Sequence, residues 1–334
     1  VIARGGKLMA EGTASEPIVM TSESDDITVG QTAGSSLTEN VRGLWGGLLV
    51  LGNAPCSFSG DVAELQIEGI PASETNGLYG GSDPADNSGV IQYVSIRHGG
   101  AEIGEGNEIN GLTLGGVGTG TTIDHIEVVG NVDDGIEFFG GTVNASELLV
   151  WGQGDDGLDI DQAYAGTISN SMVILNSASD HALEIDGPEG SAPGSFTLNN
   201  ITLVGTNDEC SATGVDGEIS DYRKGATGAN NNVYVMNFTD GKDIELDKDA
   251  DANSYTAGTL TFSGYEFTPA TDGGSDCFTP NLTDGSIFND KSTVGSTFEA
   301  DGATICTVVA SGANAVGANP ADFSWTYASG KGAF

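Results

Sequence analysis

Apolar and polar residues alternate along this chain in short bursts, and the bursts recur. Three segments align without gaps: "IDHIEVVGNVDDGIEFF" from Ile123, "ASELLVWGQGDDGLDID" from Ala145 and "NSMVILNSASDHALEID" from Asn170. Corresponding positions lie 22 and then 25 residues apart, as in Val128, Val150 and Leu175, or Ile136, Leu158 and Leu183. Weaker copies are "IQYVSIRHGG" with "NGLTLGG" upstream, and "LNNITLVG" and "NNVYVMNFTDGKDIELD" downstream. Each copy reads as period-2 alternation, a polar or glycine turn, then alternation again, which is the signature of strands; no segment sustains a helical period. Units this small cannot bury a face alone and must stack. The pattern therefore predicts an all-β fold, a right-handed parallel β-helix over about residues 1–255. Residues 256–334 lose the repeat and are expected to form a C-terminal cap or irregular β region.

Stacking converts the acids into columns. With Ile136, Leu158, Leu183 and Ile244 inward, Glu137, Asp159, Glu184 and Glu245 must face outward, because strand side chains alternate. Two residues on come Phe139, Asp161, Asp186 and Asp247. Rungs about 4.8 Å apart put neighbouring carboxylates at a repulsion of roughly 1 kcal/mol in bulk water, or about 3 to 4 at an effective dielectric of 20. Hard oxygen ligands in such an array suit Ca²⁺ better than Mg²⁺, which demands stricter octahedral geometry. A solvated anionic face is the alternative.

"DKDADAN" is a separate candidate: Asp247, Asp249, Asp251 and Asn253 reproduce the alternating ligands of half an EF-hand loop, but the glycine and the final acid are missing, with Ala252 and Gly258 in their places. The turn acids Asp133, Asp134, Asp155, Asp156 and Asp180 read as turn formers that hydrogen-bond backbone. "GGSDPADN" from Gly80 is a weaker acidic candidate.

Composition sharpens this picture. The 334 residues carry 48 Asp+Glu against 10 Lys+Arg, a formal net charge of -38, which repels nucleic acid and anionic membrane and attracts divalent cations. No apolar run reaches the roughly 18 to 20 residues of a membrane-spanning helix. The chain starts at Val1 without a Lys/Arg-led signal segment, as a mature or trimmed product would. The four cysteines lack zinc spacing, so disulfides in an exported protein are expected. Cys277 with Cys306 is the first pairing to test, and Cys210 with Cys277 its rival.

"GGKLMAEGTASEPIVMTS", "GLWGGLLVLGNAP", "LYGGSDPADNSGVIQYVSIRHGG" and "NEINGLTLGGVGTGTTIDHIEVVGNVDDGIEFFGGTVNA" resemble a family of uncharacterised, secreted β-helix proteins of bacterial cell surfaces, strongly over about residues 1–190. The resemblance implies a β-helix and export, with a signal peptide and earlier coils upstream. It implies no reaction.

The expected function is thus an extracellular surface β-helix with a structural, adhesive or matrix role, stabilised by Ca²⁺. Its partners would be a glycan or cell-surface ligand and further copies of itself, since open strand edges invite stacking into a filament. The alternative class is a carbohydrate-active enzyme on acidic polysaccharide. A hydrolase of the polygalacturonase type would show G-H-G and R-I-K, which are absent; a lyase would need a base, drawn from Arg97, Arg223, Lys224, Lys242 and Lys248. His98, His125 and His181 are scattered and predict no shared metal.

Overall fold

The computed structural model describes residues 1–101, 109–205 and 218–334. Its two large sheets are wholly parallel: an eleven-stranded long sheet from Leu8–Glu11 to Cys306–Val308, and an eight-stranded sheet from Leu48–Leu51 to Phe288–Asp290 that carries the acids and is called the acid sheet below. Successive copies pair in register, Leu158 with both Ile136 and Leu183, and Val150 with Val128. The chain is a right-handed parallel β-helix, the winding expected of parallel crossovers. Among the described residues no helix is long and apolar enough to cross a membrane.

The alternation does what the sequence requires of it. Ile136, Phe138, Leu158, Ile160, Leu183 and Ile185 point into one continuous core with Val128, Val150 and Val173 of the long sheet. Each fully buried side chain of this kind stabilises the fold by roughly 1.5 to 3 kcal/mol. At the C-terminal end, Tyr255, Phe262, Phe288 and Phe298 pack ring on ring. There, α1 (Asp249–Thr256) and α2 (Phe298–Ile305) replace part of the coil.

Two details differ from the sequence expectation. In the third copy Val150 pairs with Val173, not Leu175, because the turn before His181 is two residues longer and absorbs the difference. The stack also runs past residue 255: Leu260–Ser263, Tyr265–Thr268, Phe288–Asp290 and Cys306–Val308 extend both sheets, with strands too short and spacings too irregular to show a period.

The long sheet turns a corner at one register position. Tyr93, His125, Glu147, Asn170, Asn200, Asn232 and Gly264 occupy successive rungs there, all with positive φ between 47° and 68°. Left-handed backbone is costly for most side chains and best tolerated by Asn and Gly. Hydrogen bonds between neighbouring rungs offset the cost beside the corner, as from Asn231 to the Asn199 side-chain oxygen (3.0 Å) and from Ser263 to that of Asn231 (2.9 Å).

Candidate metal centre

Outward from the acid sheet runs the column Leu49, Thr113, Glu137, Asp159, Glu184, Asp221, Glu245 and Asn289, one residue per rung. Five consecutive carboxylates stand in it. Asp221 was not legible in the repeat, because its coil places Ser220 where the others have an aliphatic residue. These side chains do point away from the core, but several are not solvated: Glu137, Asp159, Asp186 and Glu245 are buried.

The two halves of the column differ in their counter-charges. Toward the C-terminus, protein cations supply them. Arg223, which follows Asp186 in the neighbouring column, donates from Nε to Asp186 Oδ1 (2.8 Å) and from Nη2 to Oδ2 (3.1 Å), and also reaches Glu184. Lys224 lies 2.6 Å from Asp186 and 4.0 Å from Asp161, and Lys291 pairs with Glu245. Lys242 pairs with Glu218, and Lys248 with Asp247. Bidentate guanidinium contacts with buried carboxylates are the strong form of such pairs.

Toward the N-terminus the turn acids extend the cluster. Asp134 Oδ1 accepts the Asp156 N–H (2.9 Å), and Asp156 Oδ1 accepts both the backbone N–H and Nδ1 of His181 (2.8 Å each). The turn reading of Asp134 and Asp156 is thus correct, but each bonds the next coil rather than its own. Burial alone would lower the His181 pKa; the Asp156 hydrogen bond and the charges of Asp156, Asp180 and Asp221 prevail and hold it at about 9. His181 is therefore a cation within this half.

Beyond its reach stand Asp134, Glu137 and Asp159, with donor oxygens within 4.8 Å of one another and only 6%, 5% and 9% of their surfaces exposed. Asn110 donates to Glu137, and more weakly to Glu68 at 3.5 Å. Among the described residues, Asp159 Oδ1 and the Asn110 side-chain oxygen are buried without a hydrogen-bond partner. Burial first, and then mutual repulsion, raises all three acids well above the carboxylate range: Asp156 and Asp133 act on Asp134, Asp159 and Asp134 on Glu137, and Asp134 and Asp156 on Asp159. Burial, opposed by Lys224, lifts Asp161 to about 6, and burial with the Glu245 charge lifts Asp221 to about 7. Three hard oxygen donors with an unpartnered oxygen among them fit Ca²⁺ in donor type and flexibility. Neighbouring groups of the same kind are Asp133, Asp134 and Asp155; Asp155, Asp156 and Asp180; and Asp156, His181 and Glu184. His125 stands apart on the long sheet with Asp124 and Glu147, and shares no group with His181.

The "DKDADAN" residues are not brought together. From Asp249 the stretch is helical, which turns Asp251 to the side away from Asp249 and Asn253. Asp249 accepts from Thr293, Asp251 from the N–H groups of Gly225 and Ala226, Asp247 pairs with Lys248, and Asn253 is exposed. The Cys277 to Cys306 pairing is corrected as well. Cys277 is disulfide-bonded, whereas Cys306 is a free thiol facing the core, its pKa pushed up to about 12 by burial. Its rival partner for Cys277, Cys210, lies outside the described residues.

Of the bases considered for a lyase, Arg97 is buried on the long sheet beside Glu127, and the other four are in ion pairs. Arg42 escaped notice in the sequence. It is half-buried, its Nη1 lies 3.0 Å from where a Cβ on Gly154 would sit, next to the Asp155 turn, and among the described residues it makes no ion pair. Nothing local marks it, since "NVRGLW" is 112 positions from Gly154.

The curated proteins and the solved structures compared with this chain gave no match. The pectate-lyase-like β-helix domain matches residues 1–310, nearly the whole length. A stacked parallel core and a match of that extent make the chain a member of the pectate-lyase-like β-helix family.

Proposed function

We propose that this protein is an extracellular structural β-helix, adhesive or matrix-forming, whose acid sheet is locked by Ca²⁺ at Asp134, Glu137 and Asp159. One observation carries the reading: three carboxylates, each nine-tenths buried, stand together, and among the described residues no Lys or Arg pairs with them and one of their oxygens lacks any partner. An ion there offsets repulsion that the fold otherwise bears. Export is supported by the disulfide at Cys277, a bond that persists in oxidising compartments. End-to-end association is supported by the edges. Phe288–Asp290 and Cys306–Val308, the last strands of the two sheets, each have one strand partner among the described residues. Calcium should raise the melting temperature by several degrees and excess chelator should lower it; a melting temperature indifferent to both would remove the ion from the reading. Negative-stain microscopy distinguishes filaments from single particles.

A second reading, a polysaccharide lyase, is favoured by Arg42 alone. An arginine without a carboxylate partner among the described residues, beside a cation site, is what abstraction of the proton at C5 of a uronate would need. Incubation with uronate polysaccharides tests it, and no gain in ultraviolet absorbance from unsaturated product would exclude it.

A further inference from the structure

The sequence predicts a C-terminal cap or irregular β region over residues 256–334, and the last part of that region returns along the stack. After Cys306–Val308 the chain turns back and crosses the outer face of the long sheet, rung by rung, toward the N-terminal coils. Ala315 and Val316 donate to the Glu266 carboxylate (2.6 and 3.3 Å), and Gly317 donates to the Asn232 carbonyl (3.2 Å). Ala318 donates to Thr202 Oγ1 (2.9 Å) and Asn319 to the Asn170 side-chain oxygen (2.7 Å). Trp325 then meets the rings of Tyr93 and His125 at 5.4 and 6.4 Å. Six rungs of about 4.8 Å separate the first contact from the last, a path of roughly 29 Å.

The landing site is the most buried ion pair among the described residues. Glu127, 0% exposed, accepts the N–H groups of Tyr327 (3.1 Å) and Ala328 (2.8 Å) and the Ser95 hydroxyl (2.5 Å). Arg97, 2% exposed, lies 3.6 Å from Glu127 and 4.7 Å over the Tyr327 ring. Between the two ends, Phe323 and Ala328 are buried on an apolar stripe of Leu149, Met172, Ile174 and Val204 that would otherwise face water. A buried carboxylate that loses its donors, and an apolar stripe that loses its cover, both penalise release.

We propose that residues 309–334 are a clasp, which fastens the N-terminal coils through Glu127 and Arg97 so that these coils open when it lifts, while the C-terminal end of the acid sheet stays closed. The segments that should respond are Gly89–Arg97 and Thr122–Val129. Those that should not are Ile244–Leu246 and Phe288–Asp290.

The test is hydrogen exchange on the full chain carrying Phe323→Ala and Tyr327→Ala. Exchange in the two responding segments should accelerate by roughly tenfold or more, with the two distal segments unchanged. Equal acceleration everywhere, or none, overturns the proposal. If the double variant does not fold, a protease site placed within the exposed turn at 311–313 allows the chain to fold first and be cut afterwards. After the cut segment is removed, the same local acceleration is expected, reversed by adding a synthetic peptide of residues 318–334. Unchanged protection after removal overturns the clasp.

Discussion

The acid column has two halves with the same spacing and opposite solutions to the same repulsion. In the C-terminal half Arg223, Lys224 and Lys291 reach over Glu184, Asp186 and Glu245. In the N-terminal half Asp134, Glu137 and Asp159 are more deeply covered, and among the described residues no Lys or Arg pairs with them. Covalent counter-charges are permanent and indifferent to the medium. A site that must recruit its counter-charge, whether a proton or a metal ion, makes stability depend on what surrounds the protein.

The comparison can be broken at either half. Arg223→Ala should cost about 2 kcal/mol, less than a fully buried pair because the guanidinium is partly exposed, and by the same amount in calcium or chelator; denaturant titration under both conditions measures this, and a calcium-dependent loss would erase the distinction between halves. Asp159→Asn should change sign with the medium. In chelator it relieves a repulsion and should stabilise by roughly 1 kcal/mol, whereas in calcium it should abolish the gain in melting temperature; destabilisation in both media would show a purely packing role.

Acidity sharpens the contrast further. A carboxyl whose folded pKa is raised binds more protons folded than unfolded, so its stabilising protonation is complete below the unfolded value near 4 and is lost as pH rises through the folded value. Asp161 at about 6 and Asp221 at about 7 place that loss between pH 4 and 7, and the buried trio extends it upward. Without calcium the melting temperature should therefore fall by a few degrees between pH 5 and 8, and calcium should flatten the slope; a metal-free protein that is more stable at pH 8 would contradict the raised acids. The smallest effect is expected from Asp251→Asn, about 0.5 kcal/mol, since Oδ1 serves the backbone N–H groups of Gly225 and Ala226 and an amide oxygen can still accept from them. Its calcium response should match that of the unaltered chain.

Period and phase were legible because they arise from neighbours in sequence: Ile136, Leu158 and Leu183 announce an inward column, and their successors an outward one. What escaped depended on distance or on an exception. Asp221 hid behind Ser220, and the extra turn residues before His181 shifted the third copy by two. Asn110 and Arg42 come to the acids from remote segments, with no local pattern to mark them. The helix at Asp249 overrode the alternation that had suggested a metal loop, because the carboxylates there cap backbone instead.

The returning C-terminal segment has a consequence for how such a chain can change in length. A solenoid ordinarily grows or shrinks by whole coils, since each rung needs only its neighbours. Here the distance from Glu266 to Glu127 is measured by a tether of fixed length. An added coil would displace the landing site by about 4.8 Å, so the tether would need one or two more residues at about 3.3 Å each to arrive in register. The tail is a ruler, and the number of rungs is the quantity it reads.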